Sequence, residues 1–507
     1  MTTLTDVYRT PLGLLTDLYQ VTMAHGYWKT GQAEREAVFH LHFRRHPFGG
    51  GYAIAAGLGQ ALDYLAALRF TEDDRAYLAT LTGADGRPLF DPGFLAYLGD
   101  LRFTGTIDAV PEGRLVFAHE PLVRVRAPII QAQLVETALL TLVNFGTLIA
   151  TKAARICDAA RGEPVLELGL RRAQGVDGGL SATRAAWIGG IAGTSNVLAG
   201  KLYGIPVRGT HAHSWVMFWG DEPRAFRAYA DAMPGNVTLL VDTFDTLDGV
   251  RHAIDVGRHL RASGHDLLAV RLDSGDLAHL SIEARRLLDD AGFERTRIVA
   301  SNDLDEHLMS SLRDQGARID TWGVGTKLVT GNDQPALGGV YKVGAVADPD
   351  VDGGWRYPIK LSEQPIKIST PGIQGVQRIT RGGVLVGDVI CDALATAPGA
   401  RVEAWDLEDP TRGFVVAGDT VEPLLVTVMD GGVATAAAAS AGDLGAARAR
   451  AAADLAALSP RTRRHLNPQP YPVGLDATLH QRKLRLVAEA RARVAAELAA
   501  REPEGRS

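Results

Sequence analysis

Cysteine is scarce in this chain, with two residues in 507, Cys157 and Cys391. One stands in the helical pattern ATKAARICDAAR and the other follows an apolar, strand-like run. Such a pair builds neither a disulfide framework nor a metal cluster, and it suits the reducing cytosol. An excess of positive charge is also missing. The 53 Lys and Arg against 59 Asp and Glu leave a net charge of −6, which argues against nucleic acid as the main partner. Basic residues gathered into one phosphate-binding cleft would not alter that total. The N-terminus MTTLTDVYRTPLG has no basic segment leading into an apolar one, so no signal peptide is expected. No run of about 18 uncharged apolar residues occurs, so no membrane span is expected either. With 46% hydrophobic and 22% charged residues, the chain reads as a soluble, cytoplasmic globular protein. Its length exceeds what one core usually organises, so two or three domains are expected.

From about residue 165 to 345 one rhythm repeats: a short apolar, β-branched run, one or two polar residues, then a helical pattern. The runs are Val165–Leu170, Ile205–Thr210, Val237–Asp242, Leu267–Asp273, Arg297–Ser301 and Asp320–Gly323. Amphipathic stretches such as GVRHAIDVGRHLRAS and IEARRLLDDAG separate them. Strands alternating with helices imply a buried parallel sheet. Six such units favour a closed or nearly closed, TIM-like (β/α) barrel over an open Rossmann sheet, and the first strand–helix turn lacks the G-x-G-x-x-G of a dinucleotide site. The expected division is an N-terminal α/β domain over 1–130, a catalytic barrel over 131–345 and a C-terminal segment over 346–507. The long helical stretch from Gln131 to Ala160 leads into the barrel. Strand-like runs return after about residue 345 (YKVGAVAD, RYPIKLS, GVLVGDVI, PLLVTVM), as expected if that segment pairs back on the first domain. The Ala/Arg-rich stretches at the end read as solvated helices without chemistry.

Parallel β/α sheets carry their active sites at the carboxyl ends of the strands. Those ends hold Arg171 and Arg172; Thr210, His211 and His213; Asp242 and Thr243; Arg271 and Asp273; Ser301, Asn302 and Asp303; and Gly325 and Thr326 in GVGTKLVTG. Cations, carboxylates, hydroxyls and glycines in one place suit a phosphorylated substrate with a divalent metal. Arginine forks bind phosphate or carboxylate bidentately. Asp242, Asp273 and Asp276 suit Mg²⁺, often through water. The GVG turn lets backbone N–H groups approach a phosphate, and Thr326 adds a hydroxyl; its lysine is wrongly spaced for a Walker A loop. Each residue also has a plainer reading. Asp242 and Asp303 can cap helices, Arg172 and Arg271 can pair with neighbouring carboxylates, His213 can be a packed histidine, and Tyr19 can be core. The convergence of six strand ends favours the functional reading.

These segments resemble the nicotinate phosphoribosyltransferases. The resemblance runs through LLTDLYQVTMAHGYW, FGTLIATKAAR, LRRAQG, GTSNVLAGKLYGIPVRGTHAHS, VRLDSGDL, VASNDLDE, GVGTKLVTG and LGGVYKV, in family order. It implies an ATP-dependent enzyme, classed as a C–N ligase, that makes nicotinate mononucleotide from nicotinate and 5-phosphoribosyl-1-pyrophosphate for NAD biosynthesis. It further implies an irregular type II phosphoribosyltransferase barrel with an added α/β domain, Mg²⁺, ATP as co-substrate, and a homodimer with shared active sites. By motif, the phosphohistidine falls on His213 and the nicotinate contacts on Tyr19, Thr210 and Arg271. The phosphoribosyl contact falls on Thr326; the strand-end chemistry, not the motif, adds Gly325, Arg172 and Asp273 for phosphate and Asp242 and Asp273 as the metal carboxylates. No family role falls on His211.

That chemistry fits the residues. Displacement at the ribose C1 needs a neutralised pyrophosphate and a well-positioned pyridine nitrogen. Tyr19 can stack on the ring, and Arg271 can fork its carboxylate, which favours the acid over the amide. Nicotinamide phosphoribosyltransferase is the nearest alternative. A metal-dependent barrel hydrolase is a more distant one, suggested by the H-x-H of His211 and His213. A zinc site would need further ligands at later strand ends, where Asp242, Arg271 and Asn302 stand instead.

Overall fold

The structure, a computed structural model, describes residues 11–364 and 367–499. Leu148–Ala336 forms one compact unit, and the described residues before 148 and after 336 form the other. The helix Glu136–Ala159 crosses the division. It is long and apolar enough to span a membrane, but 67% of its most apolar stretch is buried in the fold, as befits a core helix.

The 148–336 unit carries a curled sheet of six parallel strands: β1 (Val165–Glu167), β2 (Gly193–Thr194), β3 (Thr238–Leu240), β4 (Ala269–Leu272), β5 (Arg297–Ala300) and β6 (Thr321–Val324). Their spatial order is β2-β1-β6-β5-β4-β3, and every pairing is parallel. Most residues of these strands are buried, as in parallel sheets flanked by helices. The helices between them bury one stripe each. Thr246–Ala262 turns Val250, Ala253, Ile254, Gly257 and Leu260 inward, the 3.6-residue period of an amphipathic helix. Gly249 lets that helix lie directly on the strand end, since a Cβ there would sit 2.0 Å from the Val241 carbonyl oxygen.

One expected strand is corrected. Ile205–Thr210 makes only a single parallel bridge, from Val207 to Thr194, while the ladder strand is the inconspicuous pair Gly193–Thr194. Pro206 has no N–H to donate; its carbonyl accepts from Thr194 and the Arg208 N–H returns to the Thr194 carbonyl. Beyond Arg208 the chain leaves the sheet. The barrel is therefore a curl with an open seam, and β3 is its edge.

The other unit is built on a seven-stranded antiparallel sheet. Glu36–Phe43 lies between Gly339–Ala347 and Val123–Pro128, and Thr106–Ala109 joins Val123–Pro128 to Val426–Asp430. Strands from both ends of the chain thus interleave. A second, six-stranded sheet gathers strands between Gln374 and Leu475. RYPIKLS contributes strand only at Trp355–Arg356. The Ala-rich helix Leu444–Ala457 is also more than a solvated helix. It buries Ala447, Ala451 and Asp454, and Asp454 accepts from Arg114 Nε at 2.8 Å, Arg378 Nη1 at 3.2 Å and the Leu115 N–H at 2.9 Å. Arg378 is fully buried, and losing one partner of a buried ion pair costs about 3–5 kcal/mol. Asp454→Ala is expected to destabilise this unit by about 3 kcal/mol in a denaturant melt; a shift below about 0.5 kcal/mol would reduce the network to surface decoration.

Candidate active site

The carboxyl ends of β1, β4, β5 and β6 enclose a cavity of about 170 Å³ lined by Arg171, Arg172, Arg271, Asp273, Ser301, Asn302, Asp303, Gly325 and Thr326. The sequence places these residues on four different strand ends, and the fold brings them to one wall. Helix capping is done by other carboxylates. Asp245, Asp276 and Asp305 cap the helices after β3, β4 and β5, which withdraws Asp276 from the cleft; Asp273 and Asp303 line it, and Asp242 is tied to the Asp273 N–H beside it. Asn302 and Asp303 both take left-handed backbone conformations, with φ of 105° and 44°. Each costs on the order of 1–3 kcal/mol in a non-glycine residue and persists where the surroundings enforce it. Lys327, just beyond Thr326, is tied to Asp305 at 2.6 Å.

Arg271, at the third position of β4, is held on three sides. Its Nη2 donates to Asp273 at 2.8 Å, its Nε to the Ser301 hydroxyl at 2.9 Å and its Nη1 to the Thr210 hydroxyl at 3.3 Å. Five donors with three engaged leave one N–H on each terminal nitrogen, the fork that a carboxylate needs. Ser301 also donates to Asp273. Burial pushes the Asp273 carboxyl up, but the Ser301 hydroxyl and the Arg271 charge outweigh it and hold the group below its ordinary range. The second Asp273 oxygen lies 3.8 Å from His213 Nε2. The His213 Nδ1 is 3.2 Å from the Thr243 hydroxyl, and the side chain is 40% exposed. A single carboxylate thereby faces both the candidate phosphate acceptor and the candidate substrate cation.

Asp242 accepts from the Asp273 N–H at 3.0 Å and the Ser274 hydroxyl at 2.6 Å through one oxygen. Its other oxygen is buried without a hydrogen-bond partner. Among the described residues no group of three His, Cys, Asp or Glu is placed to hold a metal. Mg²⁺ is commonly bound by one or two carboxylates with water and substrate phosphates completing the shell, and the orphaned Asp242 oxygen fits that arrangement.

Below this cleft a larger cavity of about 1120 Å³ runs down the curl, from Arg271 and Thr210 to Arg297 and Thr321 at the opposite strand ends, between apolar walls that include Leu166, Val207 and Val299. Thr210 and Arg271 therefore meet at its upper rim. Tyr19 belongs to the other unit, on the helix Leu18–Lys29, is 49% exposed, and is not among the residues lining either barrel cavity.

The sequence pattern of the nicotinate phosphoribosyltransferase N-terminal domain matches residues 14–144, and that of the C-terminal domain matches residues 374–483. The nicotinate phosphoribosyltransferase of Bacillus subtilis is 48% identical over 369 residues, 73% of each chain. The human nicotinate phosphoribosyltransferase is 36% identical over 530 residues, 92% of this chain and 95% of the human one. The chain belongs to the nicotinate phosphoribosyltransferase family. The crystal structure of human nicotinic acid phosphoribosyltransferase superimposes with a TM-score of 0.79 at 32% identity, over 93% of this chain and 99% of that one. A nicotinate-nucleotide pyrophosphorylase from Pyrococcus furiosus shares the fold, with a TM-score of 0.66 at 21% identity over 89% of this chain and 96% of that one.

This chain also has a cationic pocket that sequence reasoning missed. In the other unit Arg44, Lys342, Lys360, Lys367 and Lys483 surround a small cavity with His42 and His119. Burial lowers the Lys483 amine to about 8 despite Asp406 and Glu408 nearby. Burial, then His119, Arg44 and Lys342, pulls His42 down to about 3. The residues are scattered from position 42 to 483, so no local motif announces them.

Proposed function

We propose that this protein joins nicotinate to 5-phosphoribosyl-1-pyrophosphate, forming nicotinate mononucleotide and pyrophosphate, and that ATP drives the reaction by phosphorylating His213. The names of the relatives support the substrates. The observation that carries the site assignment is the Asp273 carboxylate, which touches Arg271 at 2.8 Å and faces His213 at 3.8 Å.

In this reading the two free N–H groups of Arg271 take the nicotinate carboxylate, with Thr210 beside them. A guanidinium fork has no comparable partner in a neutral carboxamide, which favours nicotinate over nicotinamide. A His213 ring nitrogen attacks the terminal phosphorus of ATP; the N–P bond forms as the bond to ADP breaks. Asp273 offsets the positive charge that grows on the ring, and Thr243 fixes its orientation. The phosphorylated ring carries about −1.5 to −2 charge, if it behaves as other phosphorylated residues do, directly beside Asp273. We read that repulsion as the event that reorganises the cleft. Asp242 and Asp273 would hold Mg²⁺, which when bound neutralises charge on the substrate phosphates. Arg172, Gly325 and Thr326 would hold the phosphoribosyl end, with Asp273 beside them. Phe218 and Phe244 are exposed apolar side chains that a homodimer contact would cover, and the two cysteines, which form no disulfide, suit the cytoplasm.

Labelled ATP tests the proposal. The protein is expected to take up acid-labile phosphate and to release it when nicotinate and 5-phosphoribosyl-1-pyrophosphate are added. Turnover of nicotinamide alone would overturn the substrate assignment. Thr326→Ala is expected to raise the KM for 5-phosphoribosyl-1-pyrophosphate about tenfold, the loss of one hydrogen bond to a charged group, with the KM for nicotinate unchanged. An equal rise in both would assign Thr326 to the scaffold.

A further inference from the structure

The open seam of the barrel leaves a problem of hydrogen bonding. Among the described residues β3 pairs with β4 alone, so the other edge of β3 presents backbone groups that need partners. Across the seam stands the segment Ile205–Thr210, which makes no ladder with it. The Leu240 N–H on that edge is donated instead to the imidazole of His211, to Nε2 at 3.1 Å. The other ring nitrogen, Nδ1, lies 3.3 Å from the carbonyl oxygen of Ala212.

These two contacts define the ring's proton. A backbone N–H only donates, so Nε2 must offer its lone pair, and the single proton of the neutral ring sits on Nδ1, facing the Ala212 carbonyl. The ring is 7% exposed, with Tyr229 edge-on at 5.0 Å and Phe226 at 5.9 Å. Burial lowers its pKa, and the neighbouring Arg271 and His213 act in the same direction, against the Ala212 carbonyl. The neutral form is therefore the one present near pH 7. The clamped rung is also the functional one, because Leu240 is the register partner of Arg271. The neighbours of His211 in sequence are Thr210, which accepts from Arg271, and His213 two residues on.

We propose that His211 is a positioning residue: a neutral, Nδ1-protonated imidazole that replaces the missing backbone ladder across the seam and thereby fixes the Thr210–His213 turn against Arg271. The consequence rests on nicotinate being the substrate, and nicotinate turnover by the unaltered protein is the control that tests that premise separately.

The test compares two full-length variants. His211→Phe keeps an aromatic ring but removes the acceptor, while His211→Gln returns an acceptor at similar reach. The KM for nicotinate is expected to rise at least about tenfold in His211→Phe, given that misplacement of a positioning group by about 1 Å can cost 10²-fold. His211→Gln is expected to stay within about threefold of the parent, a difference near 0.6 kcal/mol. Equal kinetics in His211→Phe and the parent would overturn the proposal, as would a Gln variant as impaired as the Phe variant. A second measurement does not depend on the variants folding. In ¹⁵N-histidine spectra of the unaltered protein, the His211 signal is expected to show a protonated Nδ1 and a bare Nε2 at pH 7; the opposite tautomer, or an imidazolium, would overturn the proposal.

Discussion

His213→Ala is expected to lose acid-labile phosphate uptake from ATP completely and, with it, the whole stimulation of nicotinate turnover by ATP. The expectation follows from the geometry rather than from the residue type. His213 is 40% exposed and makes one hydrogen bond, to Thr243, so its removal takes little from the fold. What it removes is the imidazole that faces Asp273 at 3.8 Å. Loss of a covalent intermediate typically costs several orders of magnitude in the coupled step; a fall of at least about 10²-fold in ATP-stimulated kcat is expected. Uncoupled turnover, supported by Arg271 and Thr326, is expected to survive at its basal rate. Steady-state assays with and without ATP, beside a thermal melt, check this. Undiminished ATP stimulation with a normal melt would move the phosphorylation away from His213.

Arg271→Ala is the second large effect. Each hydrogen bond to a charged group contributes about 1.5–3 kcal/mol, so losing the carboxylate fork is expected to raise the nicotinate KM about 10–100-fold. The structure adds a cost to this variant. Arg271 neutralises Asp273, whose folded pKa lies below its usual value. The stability from that depressed pKa is present above the ordinary carboxylate pKa near 3.8 and is lost as pH falls through the folded one. Arg271→Ala removes part of it, so some loss of melting temperature is expected at neutral pH and less at acid pH. Arg271→Lys separates the two effects: it keeps the charge beside Asp273 but not the planar fork. Its melting temperature is expected near the parent's while its nicotinate KM remains raised. A normal KM in both variants, with only the melt altered, would make Arg271 a structural ion pair.

Much of this site was legible in the sequence because parallel strands announce themselves. A β-branched run followed by a polar cluster gives the strand and the residue at its tip together, as at Val237–Asp242 and Leu267–Asp273. The curl of the sheet then carries those tips to one place, which is why Arg172, Arg271, Asp273, Gly325 and Thr326 share a cavity. What stayed hidden depends on contacts between distant residues. Gly193–Thr194 is a strand because Leu166 and Glu167 pair with it, not because glycine and threonine favour strands. The capping duty of Asp245 and Asp305, two or three positions beyond Asp242 and Asp303, turns on where each helix begins. The role of His211 needed an unpaired strand edge that no pattern encodes. The cationic pocket around Lys483 is assembled from residues more than 400 positions apart. Asp454 looked like one more charge on an Ala-rich helix until Arg114 and Arg378 closed on it.

The interleaving of both chain ends in one sheet has a consequence for synthesis on the ribosome. Glu36–Phe43 gains its first neighbour, Val123–Pro128, early. Its second, Gly339–Ala347, emerges roughly 200 residues later, on the order of 10–40 s at about 5–20 residues per second. The 148–336 unit is complete within that interval. The nascent chain thus waits with an apolar strand, EAVFHLHF, exposed along one side while its own middle section matures. The barrel also acts in time as the spacer that delays closure of the sheet, and chaperone demand should fall on the first 147 residues rather than on those of the barrel.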